Sequence, residues 1–405
     1  SITEENRMEL FRRRAARLQK GELCAVDSIS RSAYGNTLTD VKWGKNKDKL
    51  PLEQTMETVV YTLDSHMPVY YRAFPGNIPD SRSVETILTD IRHAGFPHVI
   101  LITDRGYESL QNLERYILAG QAMIMCVKVR QKMVLEKIRE FGDFGGRPPV
   151  MEIDPKSKLY HKQYDLEYPV TGKGGSTTQS DRLRLNLYFD AIRRGTELTA
   201  LDVNIAMQRA ALQEIKEMGA SLDDDVTIKR NYNYFDIDYN ESDRTIRSFT
   251  LNEEKVAAAR RTSGFFAIMT HKLDMDPITA LDNYGLRDEQ EKYFQQMKSQ
   301  MNINRQRTWS EEGKSGRHFI TFIALIISSY LRNIWKTTPL KDRFTSSLEV
   351  LDEMRSIRCI EHRGKAKFIT PFIGGQIDIC NAFGFKIPEG CEPTYMSKKK
   401  TEKKR

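Results

Sequence analysis

The sequence predicts an α/β fold carrying a large β-rich insertion, on three observations. Between residues 23 and 130, apolar or β-branched runs alternate with stretches of helical periodicity, the pattern of strands and helices layered on a largely parallel sheet. After residue 130 the apolar runs shorten, and GDFGGRPP (142–149) and GKGGSTT (172–178) separate them. From Asp276 onward the chain turns strongly helical.

Residues 3–20 predict a helix, with Met8, Leu10, Phe11, Ala15 and Leu18 at helical spacing and Gly21 as its stop. LCAV (23–26), TVVYTLD (58–64) and MPVYYRAFPGN (67–77) predict strands, the first ending at Asp27. A helix follows over 83–93, closed by Gly95. HVILIT (98–103) is continuously apolar, as a strand buried on both faces is, and ends at Asp104. A helix over 108–120 and a strand over 121–129 complete the first block. Within the insertion, residues 183–190, 226–240 and 244–251 predict strands, with a helix over 201–219 among them. GFFAIMTH (264–271) predicts a last strand. Helices are then expected around Tyr284–Lys298, at 318–335 and at 345–355. The expected divisions are an N-terminal helix (1–22), a core in two parts (23–130 and 265–395), the insertion (131–264) and a basic disordered tail (396–405).

A chain of 405 residues is too long for a peptide hormone, a disulfide miniprotein or one small binding module. Lys and Arg number 63 against 55 Asp and Glu, a net charge of +8, and the last ten residues, MSKKKTEKKR, hold most of it. A solubilising end and a nucleic-acid contact both account for such a tail. Cys24, Cys126, Cys359, Cys380 and Cys391 are too scattered for a disulfide framework or a thiolate zinc site, and predict reduced thiols in a cytoplasm. HFITFIALIISSY (318–330) falls short of the roughly 20 residues of a bilayer crossing and predicts a buried core helix, hence no membrane partner. The N-terminal segment lacks the apolar stretch of a signal peptide, and its start at Ser1 points to a piece of something longer.

Asp27 and Asp104 stand at the predicted ends of apolar strands, where ligand and metal sites of open α/β sheets gather. Such an Asp also serves as a turn former or a helix cap. At about 100° per residue, Tyr284, Arg287, Glu291 and Lys298 fall on one helical stripe about sixty degrees wide. Leu286, Tyr293 and Met297 lie opposite, and predict an apolar docking face that leaves the charged stripe looking out. An ordinary solvated face, with Arg287 and Glu291 as an i, i+4 ion pair, explains the same stripe. His161, His271 and His318 have no partners at ligand spacing and read as structural or solvated.

The spacing Tyr-x2-Arg-x3-Glu-x6-Lys met by these four residues resembles the signature of the YREK subgroup of the fourth insertion-sequence family of DDE transposases. The resemblance extends to CAVDSISRSAYG around Asp27, FPGNIPD (74–80), LITDRGYES around Asp104, GFFAIMTH, GRHFITFIALIIS (316–328) and TPFIGGQIDIC (370–380), in order along most of residues 23–385. It implies a ribonuclease H-like core with the insertion between the second Asp and the Glu. It also implies Asp27, Asp104 and Glu291 as catalytic carboxylates holding two Mg²⁺ ions, with Mn²⁺ as a substitute. Tyr284, Arg287 and Lys298 become DNA contacts. The implied activity is metal-dependent cleavage of double-stranded DNA at transposon ends and strand transfer into target DNA, by a bacterial, cytoplasmic, nucleoid-associated protein that is a homodimer on DNA. A catalytically silent, domesticated DNA-binding protein of the same fold is the alternative. Relatives that form hairpins stack a flipped base on an aromatic of the insertion, often Trp. Trp43, Trp309 and Trp335 all lie outside it, so Tyr232, Tyr234 and Phe235 are the substitutes, or simply pack in a sheet.

Overall fold

A computed structural model of the chain describes residues 2–34, 37–47, 50–142, 148, 151–171, 178–288, 305–361, 368–389 and 391. In chain order the first elements are α1 (Glu4–Ala15), β1 (Leu23–Ala33), β2 (Gln54–Thr62), β3 (Pro68–Pro75), α2 (Asp80–His93), β4 (Ile100–Thr103), α3 (Leu110–Leu118) and β5 (Met123–Val127). The middle of the chain forms α4 (Lys132–Arg139), β6 (Glu152–Ile153), β7 (Tyr160–Thr171), β8 (Thr178–Phe189), α5 (Ala191–Met218), α6 (Asp225–Asn231), β9 (Phe235–Tyr239), β10 (Ile246–Leu251), α7 (Glu253–Thr262) and β11 (Phe265–His271). Then come α8, described over residues 277–288, and β12 (Arg305–Gln306). The chain continues with α9 (Glu311–Thr337), α10 (Leu340–Arg343), α11 (Ser347–Met354), β13 (Cys359–Ile360), β14 (Phe368–Ile369) and α12 (Gly374–Phe383). Two compact units result: Ser1–Pro79 with Thr89–Pro97 and Asp288–Arg405, and Asp80–Leu88 with His98–Arg287.

In the first unit β1, β2 and β3 form an antiparallel meander, with Asp27 opposite Val59, Arg31 opposite Thr55 and Glu57 opposite Ala73. All nine residues of β2 are buried. Phe11 of α1, Tyr71 of β3 and Phe322 of α9 close one aromatic cluster, with Tyr71 and Phe322 at 4.8 Å and Phe11 5.5 Å from Tyr71. Residue 27 was expected to end a four-residue strand, yet β1 runs on through SISRSA. Three of its polar residues have partners from other parts of the unit: Arg31 stands 2.7 Å from Glu57, the Lys47 amide donates to Ser30 at 3.0 Å, and Asn46 donates to Ser32 at 2.9 Å. Buried polar groups are tolerated in a strand when partners satisfy them.

The helix α9 is capped by Ser310, whose hydroxyl accepts the Gly313 amide, and starts at Glu311, seven residues before the expected core stretch. Lys314, His318, Phe322, Leu325 and Ser329 are buried along one side, while Ile320 and Ile327 are exposed on another. By length and composition alone this helix is long and apolar enough to cross a membrane. Leu340, Phe344, Val350 and Ile379 bring α10, α11 and α12 onto a small core of their own.

In the second unit β4 and β5 run parallel through α3, and β5 pairs antiparallel with β11. The sheet then continues through β8 and β7 to the short β6. The strands β6 to β8, in the stretch 131–264 expected as an insertion, are therefore part of this unit's sheet. The remainder is mixed. Asp190 caps α5 by accepting the amides of Ile192 and Arg193, and Gly219 closes it in the left-handed region at φ 62°. Residues 226–240, expected as one strand, divide, because Asp224 accepts the Val226 and Thr227 amides and starts α6; only Phe235–Tyr239 remain extended. With α5, α6 and α7 around the two-stranded β9–β10 sheet, the second half of residues 131–264 is mixed rather than β-rich. The expected tail, 396–405, lies outside the described residues.

Candidate active site

Asp27 lies in the middle of β1. Its side chain is largely buried, Oδ1 accepts the Ser28 amide at 2.7 Å, and Lys47 Nζ stands 3.6 Å away. Lys47 also donates to the Ser28 carbonyl at 2.8 Å, so its ammonium is fastened to the strand as well as to the carboxylate. Nothing in the local sequence around residue 47 marks this contact. The fold of the 37–47 segment brings it there.

Asp104 directly follows β4. Its Oδ1 accepts the Gly106 amide at 2.7 Å, a short Asx-type turn, and its Oδ2 lies 3.7 Å from Arg287 Nη1. The turn is crowded. A Cβ added to Gly106 would lie 3.0 Å from Asp104 Oδ1 and 3.3 Å from Asp80 Oδ2, so the Asp80 carboxylate, at the first residue of α2, borders the same turn. Asp80 closes the FPGNIPD stretch, and only the tertiary fold brings it close to Asp104.

The start of α8 is fixed by the sheet of its own unit. Asp276 accepts the amides of Ile278 and Thr279, Tyr188 of β8 donates to the Pro277 carbonyl at 2.6 Å, and Gln163 of β7 donates to Met275 at 2.9 Å. From that anchor Tyr284 and Arg287 turn inward, the guanidinium 5.1 Å from the centre of the tyrosine ring. Burial pushes the Tyr284 phenol up, with Cys126 of β5 and Asp104 adding to the rise and Arg287 opposing it. The expected orientation of the stripe is inverted here: Arg287 is 8% exposed and Leu286 42%. The buried guanidinium has a carboxylate 3.7 Å away and an aromatic face to lie on, which offset part of the cost of taking its charge out of water. Glu291 and Lys298, the other two members of the stripe, lie outside the described residues.

The structure thus brings Asp104, Arg287 and Tyr284 together, and places Asp27 beside Lys47. Partly accessible carboxylate oxygens are the hard donors a divalent ion takes, so Asp27 and Asp104 fit such an ion chemically. Among the described residues no group of three His, Cys, Asp or Glu side chains could hold a metal by itself. Two of the histidines set aside earlier have structural partners. His271 contacts the Gln121 carbonyl at 2.8 Å and Asp181 at 2.9 Å, and His318 meets the buried Glu57. Tyr232, Tyr234 and Phe235 pack around the core of α5 to α7 and line a cavity of about 1060 Å³.

The transposase DDE domain profile matches residues 18–327, a span that contains Asp27, Asp104, Tyr284, Arg287, Glu291 and Lys298. No curated protein matches the chain in sequence. Among solved structures, the cryo-EM structure of the piggyBac transposase synaptic complex with hairpin DNA is similar at 9% identity and a TM-score of 0.41, over 95% of this chain. The chain spans 62% of the length of that protein. With most of its length matched by one family profile, the chain belongs to the transposase DDE domain family.

Proposed function

We propose that the protein is a transposase of the fourth insertion-sequence family, YREK subgroup, with a ribonuclease H-like core, which cleaves double-stranded DNA at element ends and joins the freed strand to a target. The observation that carries this is the placing of one signature residue, Arg287, beside the Asp104 carboxylate, with a second, Tyr284, against its guanidinium. A helix face with no role beyond solubility would not bury an arginine against a strand-end aspartate. The antiparallel meander β1 to β3 and the parallel pair β4 and β5 agree with the proposed core.

Asp27, Asp104 and Glu291 would hold two divalent ions, Mg²⁺ with Mn²⁺ as substitute. The bound ions would supply electrostatic activation of the attacking oxygen and stabilisation of the leaving 3′ oxygen. The residues themselves do the rest. Arg287 keeps Asp104 turned toward its guanidinium, and with Lys298 and Tyr284 it grips phosphate and sugar beside the scissile bond. Lys47 holds the Asp27 carboxylate against β1 and offers a second cation to the backbone. Tyr232 and Tyr234 are the aromatics that would receive an unstacked base if cleavage passes through a hairpin. The partner is double-stranded DNA, bound by a homodimer in the bacterial cytoplasm at the nucleoid.

A labelled duplex carrying the element end tests the reading. Wild-type protein should nick it only with Mg²⁺ or Mn²⁺, and Glu291→Gln should bind the duplex and leave it intact. A Glu291→Gln protein that nicks at the normal rate removes the triad assignment.

A further inference from the structure

We propose that Asn112 is a positioning residue for Asp104: its buried amide fastens the turn that carries this carboxylate to the start of α2. The ladder between β4 and β5 ends at Thr103, so Asp104 is the first residue that it no longer holds. Within the turn the bonds are local, the Gly106 amide donating to Asp104 Oδ1 at 2.7 Å and the Tyr107 amide to the Asp104 carbonyl at 3.2 Å. They set the shape of the turn. Neither ties it to another element of the unit.

Asn112, on α3, supplies that link. The residue is fully buried, and its Nδ2 donates to the Tyr107 carbonyl at 2.6 Å and to the Ser81 carbonyl at 2.7 Å. Tyr107 lies in the turn, and Ser81 follows Asp80, whose carboxylate borders Gly106. Asn112 Oδ1 accepts from Arg115 Nη1 at 2.8 Å, and Arg115 in turn reaches Glu85 of α2 at 3.1 Å. The donors and the oxygen of the amide are therefore all engaged, as a buried polar group requires. Helix capping does not account for the side chain, because the Ser109 hydroxyl accepts the backbone amide of residue 112 at 3.1 Å whatever stands there. A leucine of nearly the same shape would fill the space and leave both carbonyls unanswered. What the amide adds is direction, since a fully satisfied buried network fixes one geometry. Here that geometry is the turn from which Asp104 meets the Arg287 guanidinium. The inference rests on the catalytic reading of Asp104. Asn112 touches no DNA, and acts on ion affinity through the ligand it orients.

The test uses the full chain. Asn112→Asp keeps the size of the side chain and the bond from Arg115, and sets a carboxylate oxygen where the amide donated to two carbonyls. Without metal, hydrogen exchange over residues 104–109 should run about tenfold faster in this variant, with the β1 to β3 meander unchanged. Nicking of the labelled element-end duplex should need about tenfold more Mg²⁺ for half its maximal rate, with duplex binding within about twofold. Electron paramagnetic resonance of free Mn²⁺ should show the same loss of ion affinity. A purely structural role would lower the active fraction and leave the Mg²⁺ requirement alone, and that result overturns the proposal. If Asn112→Asp does not unfold cooperatively, Arg115→Met decides, since that side chain is partly exposed. It should raise the Mg²⁺ requirement about threefold, and an unchanged requirement overturns the proposal. Asp104→Asn is measured alongside. If it nicks normally, the catalytic reading falls and the proposal with it; if it is inactive while Asn112→Asp keeps the wild-type Mg²⁺ requirement, the proposal alone falls.

Discussion

Asp27 sits in the middle of an eleven-residue strand with Val59 as its ladder partner, whereas Asp104 stands one residue past a four-residue strand, in a turn. The first is placed by backbone. Neighbouring ladder bonds and a fully buried β2 leave residue 27 no freedom to move without the meander. The second is placed by side chains and one amide: Gly106 N–H holds one oxygen, and Arg287 stands near the other. The difference teaches where each carboxylate is vulnerable. Changes around Asp27 should register first as lost stability, and changes around Asp104 first as lost chemistry.

The largest expected effect tests what the two have in common. On the proposed function, Asp27→Asn and Asp104→Asn should each lower metal-dependent nicking by about 10³-fold or more while leaving duplex binding within a few-fold, because each would remove a ligand charge and no phosphate contact. Gel-shift and cleavage assays on the same duplex separate the two quantities. If only one substitution abolished nicking, the two aspartates would not share a role.

The next expectation sharpens the stability side. Arg31, Glu57 and His318 are all buried beneath the meander that carries Asp27. Burial alone would raise the Glu57 carboxyl, yet Arg31 and His318 together hold it below its usual value. Glu57→Gln strands Arg31 as a buried charge and should cost about 3–5 kcal/mol in urea unfolding. A carboxyl depressed in the folded state contributes stability above its unfolded pKa and loses it as the pH falls through the folded value. The wild-type protein should therefore lose stability below about pH 4.3, and Glu57→Gln should lose less over that range. An acid limb identical in both proteins would show that Glu57 contributes nothing to it.

A smaller effect is expected at Gly106. Its added Cβ would press on Asp104 Oδ1 from 3.0 Å, so Gly106→Ala should reduce nicking about tenfold while changing stability by less than about 1 kcal/mol. Stability loss without loss of nicking would reverse the contrast between the two aspartates. The smallest effect belongs to Lys47. Its ion pair is partly exposed, so Lys47→Met should cost under about 1 kcal/mol, and about two- to threefold in nicking, by releasing the Asp27 carboxylate.

Legibility in the sequence followed the range of the interactions. HVILIT and GFFAIMTH announced β4 and β11 because a strand buried on both faces must be apolar throughout. The first strand was read four residues long because SISRSA looks polar, and only Glu57, Asn46 and Lys47 make that polarity affordable. The strand β7, YHKQYDLEYPVT, was missed altogether. Its twelve residues pair with β8 from end to end, and from Tyr164 to Val170 apolar residues alternate with Asp165, Glu167 and Pro169, a period of two that Lys162 and Pro169 interrupt enough to hide.

By itself the sequence determined the alternation of strands and helices between residues 54 and 127, the position of Asp104 at a strand end and the spacing of Tyr284 and Arg287 on one helical stripe, since each depends on periods of two or 3.6 residues within a short window. Tertiary structure alone decided which way that stripe faces, how far β1 extends past Asp27, and that Asp80 borders the Asp104 turn. Those outcomes depend on residues distant in the chain, and a charged side chain goes inside or outside according to whether such a partner is waiting for it.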